Sequence, residues 1–262
     1  MTEALIDLNH RGIFPGPFEQ HDHFLERAVT AKPILTQNRA LDRVEEIFSA
    51  SPDWVKIHFE AKNLLPWEGA VTWIEEDLKG IRSVSIQIKS SFMTRLYPQD
   101  EVIAHEMVHA MRLTFEENRF EEILAFRTSK SRFRRYFGPL FTQPSETKGF
   151  VLWMVCSWLC YWIEVLFDFS FGAKYLLWSP MLALGWGVWR LLRSQKIFAL
   201  ALKHLEKAMK KPKKSLALAL RLTDREIEQF ASYSPEEILL FAEKEKEVSL
   251  RWALLFSAYF RA

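Results

Sequence analysis

His105-Glu106-Met107-Val108-His109, with the alternating run Ser83-Val84-Ser85-Ile86-Gln87-Ile88-Lys89 ahead of it, decides the fold. Two histidines four apart lie one turn apart on a helix face, so both imidazoles reach a single divalent metal ion. The glutamate between them stands beside that ion, where it can take a proton from water. Alternation at period two predicts a half-buried strand over 83–89. Pro98 suits the first turn of a helix, and Asp100 and Glu101 favour its positive end. Val102, Ile103, Met107, Val108 and Met111 make that helix apolar enough to be held in a core. The order is strand, short loop, metal-binding helix.

That order, with its H-E-x-x-H pattern, resembles the zincin peptidases, in which the strand lies along the cleft and pairs with an extended peptide by edge addition. A catalytic zinc keeps three protein ligands and one water position. Residues 110–118 hold no histidine, whereas Glu116, Glu117, Glu121 and Glu122 are all near. The segment Phe120-Glu121-Glu122-Ile123-Leu124-Ala125-Phe126 resembles the gluzincin second-helix motif, in which a Glu ligand is followed three residues later by Ala. The resemblance spans roughly 83–129. It implies Zn²⁺ held by His105, His109 and Glu122, Glu106 as general base, and Ala125 as the small residue that admits close helix packing.

Twelve residues separate His109 from Glu122, fewer than in the best-known gluzincins. The His109 helix must therefore end near Arg112 or Leu113 and reverse over 114–118. That length is ordinary for a helix–helix connection, but no Gly or Pro marks the stop. On one uninterrupted helix His109 and Glu122 would lie about 20 Å apart, too far to share a metal. Glu121, Glu206 and Glu226 stay open as alternatives for the third ligand.

A membrane segment follows. Residues 150–167 contain one charge, Glu164, and 175–189 contain none. With their flanks, 149–171 and 173–192 each approach the length needed to cross a bilayer, and a short connection makes them an antiparallel pair. Trp153, Trp158, Trp162, Trp178, Trp186 and Trp189 lie here, and indoles favour the headgroup boundary. Arg132, Arg134, Arg135 and Lys148 precede the pair, and Arg190, Arg193 and Lys196 follow it. By the positive-inside rule both termini and the metal site face the cytoplasm, which suits a bacterial inner membrane. Glu164 lies near the far end of the first helix, where a carboxylate reaches the interface. Cys156 and Cys160, four apart on one helix face, read as packing residues.

The formal net charge of +2 argues against a nucleic-acid partner. The start, 1–10, is too mixed for a signal peptide. His21-Asp22-His23 reads as a solvated loop, 35–48 as an amphipathic helix, and 54–60 and 70–75 as further strands. His58, on the first of these, could donate to substrate but reads more simply as a half-exposed strand histidine. Six lysines in 203–214 would attract anionic lipid, and Pro212 breaks their helix. Thr223-Asp224-Arg225-Glu226 and Ser234-Pro235-Glu236-Glu237 match the capping box, the second opening a helix towards Phe260.

The expectation is an α+β chain in three parts: a zincin-like metallopeptidase domain over 1–148, a two-helix transmembrane or re-entrant hairpin over 149–192, and a helical region over 193–262. Its partners would be a polypeptide substrate and the lipid bilayer. Arg112, Tyr97 and Tyr136 are the available donors to an oxyanion. Two other classes fit the same residues: a non-catalytic membrane protein whose zincin-like fold binds a partner, and a lipid-surface adaptor for which His105 and His109 would be dispensable.

Overall fold

The computed structural model describes residues 3–35, 38–60, 70–76, 82–89, 98–168, 172–209 and 212–261. Helices α1 (Glu3–His10), α2 (His21–Thr30) and α3 (Arg39–Phe48) precede strands β1 (Lys56–His58), β2 (Ala70–Glu76) and β3 (Arg82–Ile88). Then come α4 (Gln99–Met111), α5 (Glu121–Phe126), α6 (Arg132–Phe137), α7 (Pro144–Phe167), α8 (Ala173–Leu176) and α9 (Ser179–Ala208). Short helices α10 (Ser215–Ala219), α11 (Asp224–Phe230), α12 (Pro235–Glu245) and α13 (Leu250–Leu255) complete a mostly helical α+β chain. The His21-Asp22-His23 triplet is the first turn of α2 rather than a loop, with Asp22 at the end where the helix dipole favours an acid.

The sheet has the order β1-β3-β2, with β1 parallel and β2 antiparallel to β3. Strand pleating sends Val84, Ile86 and Ile88 into the core, while Gln87 faces the other way with its register partner His58. Trp73 shares that outer face, its indole donating to Gln87 Oε1 at 2.7 Å. This corrects the expectation for 83–89. Among the described residues β3 is the central strand, with both edges already paired, so it cannot take up a peptide. Among the described residues strand β2 keeps an outer edge, and its Thr72 reaches α4.

One core cluster runs from Ile13 to Phe260 and takes in Val84, Ile86, Met107, Val108, Leu124, Phe198, Leu220, Phe230 and Trp252. The C-terminal helices therefore pack into the body that carries α4. Fully buried Arg221 stitches them to the start of the chain. Its Nε donates to Asn9 Oδ1 at 2.6 Å, Nη2 to the Asn9 carbonyl at 2.9 Å and Nη1 to the Phe48 carbonyl at 3.2 Å.

Both predicted capping boxes form, at Thr223–Glu226 and Ser234–Glu237. The single helix expected from 235 towards 260 does not. It stops after Glu245 and restarts on a Ser249 cap, which brings Arg251 and Trp252 against Glu226. Arg251 spans both Glu226 oxygens at 2.6 and 3.0 Å, and the Trp252 indole donates to Oε1 at 2.7 Å. Burial alone would raise the Glu226 carboxyl; the charge and hydrogen bonds of Arg251, with the Thr223 amide and Trp252, outweigh it and hold the acid low. Removing one member of such a buried pair strands the other. Arg251→Met is expected to lose about 3–5 kcal/mol of stability, read from urea unfolding in detergent.

Helix α7 is 24 residues long, with a mean hydropathy of 1.8 in its most apolar window, of which 6% is buried. It is long and apolar enough to cross a membrane. Val151, Leu152, Trp153, Val155, Trp158, Leu159, Trp162 and Ile163 stand exposed on several of its faces. Glu164 Oε1 accepts the Gly172 amide at 3.1 Å at the far end. The second expected span is corrected. Residues 173–192 do not form one helix: α8 ends at Leu176, and Pro180 opens the first turn of a new helix. That helix, α9, then continues without interruption from exposed Met181, Leu182, Trp186 and Trp189 to buried Phe198, Ala201 and Leu205. One rigid element thus joins the apolar arm to the core. At its waist Arg190 grips Glu146 of α7 through both oxygens, at 2.5 and 2.8 Å.

Candidate metal centre

Helix α4 carries His105, Glu106 and His109, and α5 carries Glu121 and Glu122. The reversal between them lacks Gly and Pro because other groups enforce it. Glu116 takes a left-handed conformation, φ 56°. Asp224, from the C-terminal region, accepts the Arg119 and Phe120 amides at 3.0 and 3.3 Å just before α5. Arg112, which caps α4, donates through Nη1 to the carbonyls of Leu220 and Leu222, both at 2.8 Å. The helix end is thus held by residues a hundred positions downstream.

The result brings His105, His109 and Glu122 together, each offering one ligand atom within 4.8 Å of the others. The two Nε2 atoms are 3.2 Å apart. Glu122 Oε2 lies 3.5 Å from His105 Nε2 and Oε1 lies 3.6 Å from His109 Nε2. All three side chains are about one-fifth exposed, so water reaches them. Glu122 Oε2 is itself buried and has no hydrogen-bond partner, an unusual position for a carboxylate oxygen unless a cation meets it.

His109 is aimed by its second nitrogen. Its Nδ1 lies 2.6 Å from Glu121 Oε1, and the Ala125 backbone adjoins His105. Such partners fix the tautomer and the ring of a metal-binding histidine. Glu121 thus stands outside the group formed by His105, His109 and Glu122, on the far nitrogen of His109. Arg112 Nε stands 3.5 Å behind it, at Glu121 Oε2. Glu121→Gln is expected to weaken zinc binding by roughly 10–100-fold, measured by competition with a chromophoric chelator.

Electrostatics point the same way. Burial, with the neighbouring His109, holds His105 well below the ordinary imidazole range and keeps it neutral. Burial also acts to lower His109, but the Glu121 hydrogen bond and the charges of Glu121, Glu122 and Glu106 lift it to about 10. Glu122 is raised to about 7, first by burial and then by repulsion from Glu106 and Glu121, against the pull of His109. Three carboxyl groups around two imidazoles favour a cation between them, a role met here by the raised His109.

Glu106 stays out of the ligand group. Its Oε2 accepts from Thr72 Oγ1 of β2 at 2.6 Å, so the sheet edge fixes this carboxylate. The Phe126 ring meets His105 edge-on at 4.6 Å between centroids. A Cβ at Gly138 would sit 2.4 Å from that ring, so only glycine admits this approach.

Glu206 and Glu226 lie outside the group. Glu206 accepts from Ser215 Oγ at 3.3 Å on α9, and both Glu226 oxygens are taken by Arg251. His58 occupies the sheet face turned away from α4. Of the three donor candidates, Arg112 is fully buried behind Glu121 and Tyr136 is exposed on α6; Tyr97 lies outside the described residues. Thr72, Phe126 and Asp224 were missed by sequence reasoning. Only Thr72 had a signal, its core-facing place in an alternating strand beside the metal helix. Comparison with protein-family models, curated proteins and solved structures returns no match for this chain.

Proposed function

We propose that this chain is a membrane-anchored zinc metallopeptidase of gluzincin type, with a zincin-like domain whose hydrolytic site faces the cytoplasm. The observation that carries it is the convergence of His105, His109 and Glu122 with Glu106 beside them and outside their group. Two imidazole nitrogens and one carboxylate are a donor set of catalytic zinc, which leaves a position open for water. Zinc held there supplies a Lewis acid for the scissile carbonyl and makes water acidic enough to ionise near neutral pH.

The chain's own groups do the rest. Glu106 takes the proton of the attacking water and hands it to the leaving amine, a general acid–base role. Thr72 holds Glu106 Oε2, so the carboxylate needs no reorientation before it acts. The outer edge of β2 is the strand on which an extended substrate backbone pairs, two side chains from the general base. Helix α7, with the α8–α9 arm returning beside it, forms the membrane hairpin, and the basic flanks set both of its ends on the cytoplasmic side. The α9 shaft ties the hairpin to the domain that cuts.

The test is metal removal. The purified chain should carry one zinc, cleave an unfolded polypeptide, lose that cleavage to a chelator and regain it with zinc. One tightly held zinc with no cleavage of any polypeptide would instead support a non-catalytic binding protein.

A further inference from the structure

Helix α6, Arg-Phe-Arg-Arg-Tyr-Phe over Arg132–Phe137, has no place in the chemistry above, yet it lays out two kinds of side chain in the open. Phe133, Tyr136 and Phe137 are 70%, 56% and 41% exposed, and Phe133 stacks on Phe137 at 5.0 Å, one turn apart. Lys130 and Arg132 are exposed beside them. A water-facing helix this short gains nothing from three bare aromatic rings, whereas rings interleaved with cations suit a headgroup layer. Of the other two arginines of this helix, Arg135 is half-buried and Arg134 turns inward to Glu101 at 3.1 Å. Glu101, in the first turn of α4, also accepts from Ser129 Oγ at 2.9 Å.

The height of α6 is set by α9. Gln195 Nε2 donates to the carbonyls of Arg135 and Tyr136 at 3.3 and 3.4 Å. Gln195 is five residues beyond Arg190, the cation that closes the apolar hairpin against Glu146. At the helical rise that is about 7.5 Å, comparable to one headgroup layer. The chain then needs only a 3-10 turn, Gly138–Leu140, and a few residues to reach α7.

We propose that α6 is an interfacial anchor that docks on anionic phospholipid headgroups and holds the metal centre against the membrane surface. The inference rests on the membrane reading of the α7–α9 hairpin. Its occupant is the lipid surface because the exposed charges are cationic, the rings suit an interface, and the same chain enters the apolar segment directly afterwards. The link to the metal centre is short: Gly138 follows Phe137, carries the Phe126 ring against its backbone, and that ring packs on His105. Arg134 and Glu101 hold the opposite end of α4's first turn.

Spin labels on the full chain test it, placed at Phe133→Cys, Val155→Cys or Glu247→Cys in a Cys156→Ser/Cys160→Ser background. Collision with oxygen and with a water-soluble nickel chelate is read in vesicles of phosphatidylcholine, with and without phosphatidylglycerol. Residue 155 should lie deep, residue 247 in water, and residue 133 at interfacial depth with several-fold less nickel access than 247. Arg132→Gln with Arg135→Gln should return residue 133 towards water in the phosphatidylglycerol vesicles, leaving residue 155 unchanged. A deep residue 155 with residue 133 as nickel-accessible as residue 247 overturns the anchor and spares the hairpin. Nickel access at residue 155 sinks both.

Discussion

Glu106→Gln is expected to lower peptide hydrolysis by roughly 10²–10⁴-fold, the contribution typical of a positioned general base. Zinc content should not change, because the carboxylate is outside the ligand group. The two readouts together make the prediction sharp. Glutamine keeps the shape of the side chain and can still accept from Thr72 Oγ1, so the 2.6 Å contact to β2 survives in kind. Only proton acceptance is lost. Hydrolysis at the wild-type rate by zinc-loaded Glu106→Gln protein would remove Glu106 from the mechanism.

The second large effect concerns who holds the metal. His105→Ala, His109→Ala and Glu122→Ala should each lose zinc, with activity falling to the level of the chelated protein. Glu206→Ala and Glu226→Ala should keep it. Glu122→Ala separates the competing assignments most cleanly. Its Oε2 is a buried oxygen without a hydrogen bond, and burial, with repulsion from Glu106 and Glu121, raises the acid to about 7. Removing it relieves that cost and yet should empty the site, since two imidazoles alone rarely retain a catalytic zinc. Glu226→Ala should cost stability instead, because it leaves Arg251 buried without its partner. Elemental analysis of the five purified variants decides the matter, and zinc retained at full occupancy by Glu122→Ala would overturn the ligand set.

Much of this centre was legible as local pattern. The H-E-x-x-H spacing puts two imidazoles on one face because helical geometry is set by the backbone, and both capping boxes formed where their side chains were spaced to make them. Spacing alone left the choice between Glu121 and Glu122 open, and only the resemblance favoured Glu122. Adjacent residues on α5 point about 100° apart, and the direction from which α4 arrives decides which joins the two Nε2 atoms and which meets Nδ1 of His109. Strand order was also hidden, because alternation marks a buried face and says nothing of which neighbours occupy the edges.

What the sequence by itself determined is what depends on spacing within a few residues: the metal helix, the caps, the apolar stretch of α7. What only the tertiary structure decided depends on contacts between distant segments. The reversal after α4 is held by Asp224 and by the Leu220 and Leu222 carbonyls, about a hundred residues away. The second apolar arm became one end of α9 because the other end of that helix packs into the core. Β3 became central because β1 and β2 close on its two sides. Such contacts stabilise the fold through burial and pairing, which act through space, so no short window of residues contains them.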